Sequence, residues 1–226
     1  MKLFKLYLIV FALLAATAAI AWAGPEIAGK IQKQYQSIGS FTAAFNQELV
    51  NAASKDHELR AGTIAFSQPG LIRWQTVTPE KELLIVGREV VWDYFEDEKT
   101  AYEYPLEEIL NSKTMLKFLS GKANLTEDFL VSEEKDQAAK DQGLVALRLI
   151  PKEAEPGLVL AQAWVDAKTF LLRRIVLRDF YGNTNDLRLS DIKINAQLPK
   201  NDFDFTPPKG VEIMDQTKPK ERALPR

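Results

Sequence analysis

Cysteine is absent from all 226 residues, and histidine occurs once, at His57. The first absence excludes disulfides, thiolate nucleophiles, cysteine-ligated zinc and lipid attachment through an N-terminal cysteine. The second excludes multi-histidine metal sites. It leaves His57, in the polar run Ser54-Lys55-Asp56-His57-Glu58, as the sole histidine for acid–base work. With no nucleophile motif beside it, that run reads as a solvated hairpin tip. Phosphate-binding loops, dinucleotide turns and the Gly-x-Ser-x-Gly elbow are missing too. Neither sign of charge is in excess: 29 Lys and Arg against 31 Asp and Glu give a net charge of -2, so no nucleic acid partner is expected. Asp97 and Glu98 lie in a charged turn, and Arg173, Arg174 and Arg178 read as surface charges balanced by nearby acids. Together these absences predict a chain with no catalytic residue, no metal and no cofactor.

A long apolar run occurs only at the start. Lys2 and Lys5 precede apolar residues 6–20, which end in Ala21-Trp22-Ala23, the order of a cleavable secretory signal. The run is short for a membrane span and lacks a basic stop-transfer flank. Residues 1–23 are therefore expected to be removed, leaving a soluble chain. Residues 24–216 are expected to fold as one domain, since no Pro/Gly/Ser-rich linker divides them, and 217–226 to form a flexible tail.

In residues 25–38, Ile27, Ile31, Tyr35 and Ile38 recur at helical spacing and Gly39 supplies the stop. From Phe41 the period changes to two, as a half-buried strand requires. Strand-like segments follow at 59–66, 71–77, 82–86, 90–95, 100–104, 125–131, 144–150, 158–166, 171–180, 187–194 and 203–205. Residues 105–121 interrupt them with a second helical segment, in which Leu106, Leu110, Met115, Phe118 and Leu119 recur. The pattern predicts a mainly β fold, a strongly curved or barrel-like antiparallel sheet of about eleven strands with α-helices over its concave apolar face. The apolar residues Phe41, Phe45, Ile64, Phe66, Ile72, Trp74, Val90, Trp92 and Tyr94 fit a packed core or an openable cavity equally well by periodicity.

The order of motifs is more specific. Phe41-x-x-x-Phe45-x-Gln47 comes first, then Gly62-x-Ile64-x-Phe66 running into Pro69-Gly70-Leu71-Ile72-Arg73-Trp74, then Pro79, then Val90-x-Trp92-x-Tyr94. The chain closes on Phe203-Asp204-Phe205-Thr206-Pro207-Pro208-Lys209-Gly210-Val211 and Asp215-Gln216. This string resembles the outer-membrane lipoprotein carrier family, LolA, over nearly the whole expected mature chain. The resemblance implies an unclosed barrel lidded by helices, with an apolar cavity for acyl chains lined by the nine residues above. It implies a periplasmic, monomeric chaperone that takes acylated lipoproteins from an inner-membrane lipoprotein-releasing ABC transporter and passes them to an outer-membrane receptor. The segment from Leu106 to Leu119, with Leu110, Met115, Phe118 and Leu119 as its contacts, is the expected lid. Two positions depart from the best-known members: Gln68 stands where they have a basic residue thought to latch the lid, and Ile72 where they have an aromatic thought to help engage the transporter. The alternative is a periplasmic lipoprotein- or lipid-sensing regulatory module of similar fold, which usually carries an additional C-terminal domain; nothing beyond Gln216 could fold as one.

Overall fold

A computed structural model describes residues 23–106, 124–154 and 157–217. The expected signal segment up to residue 22, the lid residues Leu110, Met115, Phe118 and Leu119, and the tail beyond Thr217 lie outside the described residues. The strands are β1 (Ser40–Val50), β2 (His57–Ser67), β3 (Leu71–Thr78), β4 (Glu82–Val86), β5 (Val90–Phe95), β6 (Thr100–Pro105), β7 (Phe129–Glu134), β8 (Leu144–Pro151), β9 (Leu160–Asp166), β10 (Leu172–Arg178), β11 (Thr184–Ile194) and β12 (Glu212–Asp215). They form one curved 12-stranded sheet in the order β12-β6-β5-β4-β3-β2-β1-β11-β10-β9-β8-β7, unclosed because β12 and β7 are its two edges. All neighbours are antiparallel except β12, which runs parallel to β6.

Local chemistry sets the turns. Asn51 Oδ1 accepts the N–H groups of Ala53 and Ser54 between β1 and β2, and Asp166 Oδ1 accepts those of Lys168 and Thr169 between β9 and β10. Gly62 is required where Phe45 crosses β2: a Cβ there would collide with the Gln75 carbonyl and stand 2.9 Å from the Phe45 ring. The ring instead reaches Trp74, 5.0 Å away between centroids.

Helix α1 (Ala23–Ser37) opens the described chain, with Glu26 in its first turn paired to Lys30 at 2.7 Å. Its buried residues Ala28 and Ile31, with Ile38 just beyond, join the core on one face of the sheet, which is the concave, helix-covered face. Gly24 packs directly on the backbone of Val131 in β7, Gln32 accepts the Leu125 N–H, and the Tyr35 hydroxyl accepts the Leu172 N–H of β10. The helix thus braces the β7–β10 half of the concave face.

Two expectations for elements are corrected, and one helix is added that the pattern did not announce. Residues 203–205 are not a strand: Lys200–Phe203 is a 3-10 turn, Phe205 continues as irregular chain, and the last strand is β12. The segment from 125 begins with a short helix, α2 (Leu125–Asp128), because the Asn124 side chain caps the N–H groups of Thr126 and Glu127. The charged stretch after β7 contains helix α3 (Gln137–Asp141), capped by Asp136, which also accepts the Trp164 indole N–H at 2.9 Å.

Candidate functional site

Pairing register decides which side chains share the concave face. One row runs Phe41, Phe66, Ile72, Val86, Val91 across β1 to β5; the next runs Ala43, Ile64, Trp74, Leu84, Asp93; the third runs Phe45, Gly62, Thr76, Glu82, Phe95. In the other direction, Gln47, Leu187, Ile175, Ala163 and Leu147 make one row, and Leu49, Asn185, Leu177, Ala161 and Leu149 the next. Of the expected site residues, Phe41, Phe45, Ile64, Phe66, Ile72 and Trp74 come together on this face, all within one buried apolar cluster.

Val90, Trp92 and Tyr94 do not. Val91 and Asp93 occupy the concave rows, so the residues alternating with them point to the convex side. There the rings of Trp92 and Tyr94 flank Phe205 of the C-terminal segment, with centroids 5.6 and 5.4 Å away. Both faces of β4 and β5 carry apolar side chains, and Ile85, level with Trp92, is buried as fully as its concave-side neighbours Leu84 and Val86. The C-terminal segment lays a second apolar layer on the convex side, and periodicity alone cannot assign such strands to one layer.

The two ends of the concave face differ. At the end near the β2–β3 turn it is sealed. The carboxamide of Gln68 donates to the carbonyls of Gln36 and Ile38 at 3.2 and 2.9 Å, occupying acceptors left open at the C-terminus of α1. Gln68 therefore fastens that end of α1 to the sheet. At the opposite end lies a cavity of about 570 Å³, with Leu49, Trp74, Leu84 and Leu177 as apolar wall and Gln47, Arg60, Glu82 and Asn185 as polar wall.

Most of the polar wall is tied up internally, with the buried Gln47 Oε1 left without a hydrogen-bond partner. The Arg60 guanidinium pairs with Glu82 and donates to Thr76 Oγ1 at 3.2 Å, and its Nε lies 3.5 Å from Glu58. Gln47 donates to Asn185 Oδ1 at 2.9 Å. His57 sits on the rim, its Nδ1 2.8 Å from Glu48, with both side chains exposed. Among the described residues no group of three or more His, Cys, Asp or Glu could hold a metal ion. The cavity thus offers an apolar patch of Leu49, Trp74, Leu84 and Leu177 beside a polar and charged wall, and it is open to solvent. Leu84, Leu177 and Asn185 were not singled out by sequence reasoning; Leu84 sits in the continuous apolar run 83–86, which carries no alternation, and Asn185 needed the β1–β11 register.

Two titrating groups mark how firmly the frame is held. Burial pushes the Tyr35 phenol up to about 12, against the opposing effect of the Leu172 N–H that it accepts. On the convex side burial disfavours the Asp186 carboxylate, but Arg174, bound at 2.9 and 2.8 Å, and Arg188, at 3.1 Å, outweigh it and hold the carboxyl below its usual range. Arg174 also stacks over Trp164, 4.4 Å from the ring centroid, so this expected surface charge is part of a convex-side network.

An unclosed antiparallel sheet with an apolar concave face braced by a helix defines the class as a small hydrophobic-cavity protein. The sequence profile of the outer membrane lipoprotein carrier protein LolA family matches residues 36–206, and the chain belongs to that family. Relatives include outer-membrane lipoprotein carrier proteins of Legionella pneumophila strain Lens, 32% identical over 82% of this chain and 88% of theirs, and of Bordetella avium, 29% identical over 90% and 93%. Among solved structures, an uncharacterized conserved protein from Thermus thermophilus shares the fold, with a TM-score of 0.55 at 14% identity over 84% of this chain and 98% of that one.

Proposed function

We propose that this protein is a periplasmic lipoprotein carrier: it receives lipoproteins released from the inner membrane, shields their acyl chains on its concave face, and yields them to an acceptor at the outer membrane. The observation that carries the reading is the cavity beside Trp74, Leu84 and Leu177, at the end of that face away from Gln68, in a chain of the carrier family. Each methylene withdrawn from water is worth about 0.8 kcal/mol, so an acyl chain needs an enclosed apolar route across an aqueous compartment. A cavity with one apolar wall and one polar wall suits that cargo: the chain lies against Trp74 and Leu177 while the linkage to the polypeptide meets the side of Gln47 and Arg60. The partners of this reading are an ABC transporter of the inner membrane and a receptor of the outer membrane, with the carrier acting as a monomer and without catalysis.

Mass spectrometry of the organic extract of protein purified from a periplasmic fraction tests it. Acylated species should be recovered with the wild-type protein and depleted in Leu177→Glu, which places a charge in the apolar wall. Protein that carries no acyl-bearing molecule, even when isolated from cells overproducing a lipoprotein, would overturn the reading.

A further inference from the structure

Phe180 and Tyr181 are the most exposed large apolar side chains among the described residues, at 74% and 77%. They form the turn between β10 and β11, with their rings edge to face at 5.7 Å. The turn is pinned. Asp179 accepts the Asn183 N–H at 2.8 Å and its carboxamide at 2.7 Å, and the Asn183 Oδ1 accepts the Ala52 N–H of the neighbouring β1–β2 turn at 2.9 Å. Two aromatic rings are thus held out in water by a rigid support, which costs free energy unless something covers them. The same Asp179 and Asn183 line the cavity, so the rings stand beside its mouth.

We propose that the Phe180/Tyr181 turn is a bilayer-contacting tip that presents the cavity mouth to a lipid surface. The shape of the patch favours a bilayer over a protein partner. Two side chains on a convex tip fall far short of the roughly 800 Å² per partner that a stable protein interface buries. A phenyl ring beside a phenol suits the headgroup boundary, where one part of the pair is apolar and the other wet. Arg178, at the end of β10, and Lys55, on the neighbouring β1–β2 turn, are exposed cations, while Asp179 is engaged by Asn183 and Asp56 stands exposed next to Lys55. Apolar insertion therefore dominates and anionic headgroups add a smaller part. The inference rests on the carrier reading for its purpose, since a mouth held at the bilayer surface shortens the path that acyl chains take through water to or from a membrane partner. It does not rest on that reading for its test.

Protein purified from the periplasm and freed of bound lipid is floated with phosphatidylethanolamine–phosphatidylglycerol vesicles and, separately, with phosphatidylcholine vesicles. The wild type should bind both, and Phe180→Ser/Tyr181→Ser should bind at least about tenfold more weakly, because it loses both inserting rings. The two proteins share the same N-terminus, so only the tip differs, and equal melting temperatures would show the variant folded. Equal flotation of the two proteins overturns the proposal. So does failure of the wild type to bind protein-free vesicles when the variant alone loses exchange with transporter-containing membranes, which would make the turn a protein-docking element. Vesicle binding by the empty protein is independent of cargo, so loss of acyl binding would refute the carrier reading and leave this result standing.

Discussion

The two ends of the concave face are built for opposite purposes. Near the β2–β3 turn, Phe41, Phe66, Ile72 and Val86 form a continuous apolar row, and Gln68 fastens α1 there. At the other end the rows run into Gln47, Arg60, Thr76 and Glu82, and a cavity of about 570 Å³ remains. The sealed end can supply stability because Phe41, Phe66, Ile72 and Val86 are buried within one apolar cluster. The cavity end gives up packing and keeps polar groups at the rim. Such a division lets one small sheet be both stable and receptive.

The sharpest way to break the comparison is to remove packing between the two ends. Phe45 is 1% exposed and its ring spans Gly62 to reach Trp74. Phe45→Ala should therefore cost about 3–5 kcal/mol in urea unfolding. A loss comparable to that of an exposed substitution would show that this region is not core.

The polar wall tests the other side. Arg60→Ala strands Glu82, whose side chain is 15% exposed, and should destabilise by about 2–4 kcal/mol, whereas Arg60→Met/Glu82→Leu should be close to neutral. The double variant should also bind an apolar fluorescent probe more tightly, since it extends the apolar wall. If the double variant is as unstable as the single one, the pair is structural and the cavity end resembles the sealed end.

Tyr35 offers a pH test of the brace. Its phenol titrates near 12 in the folded chain and near 10 when unfolded, so the folded state holds the proton more tightly. The stabilisation is fully present below pH 10 and lost as pH rises from there toward 12, by about 2–3 kcal/mol. Relative to Tyr35→Phe, the wild type should lose stability over that window in unfolding experiments at stepped pH; parallel curves would sever the link between Tyr35 and the frame. The smallest effect is expected at Gln68, where Gln68→Ala should cost about 1 kcal/mol by thermal melting and loosen exchange protection at the end of α1. Protection unchanged there would mean that the carboxamide does not hold the helix.

Much of this architecture is legible in the sequence, for physical reasons that also mark where legibility stops. Strands such as β1 and β3 bury one face only, so Phe41, Phe45, Ile72 and Trp74 announce their side by alternation. On β5 alternation is present but its direction is not, because Trp92 and Tyr94 are covered by Phe205, more than a hundred residues away in sequence. The composition of the cavity wall is hidden for a similar reason: Asn185 meets Gln47 only through the pairing of β1 with β11. The substitution of Gln68 for a basic residue leaves a fastening role open in sequence, and only the positions of the α1 carbonyls reveal how a neutral carboxamide can fill it.

The central claim, that lipoprotein acyl chains occupy the cavity end of the concave face, is tested most directly by binding of a purified acylated lipoprotein to wild-type protein and to Trp74→Glu and Leu177→Glu. Trp74 and Leu177 both line the cavity, from β3 and β10, so a folded variant of either can serve if the other melts without cooperativity. The account predicts a soluble one-to-one complex with the wild type and its loss in each folded variant, with an unacylated form of the same lipoprotein failing to bind. Wild-type retention of lipoprotein by the folded variants would contradict it.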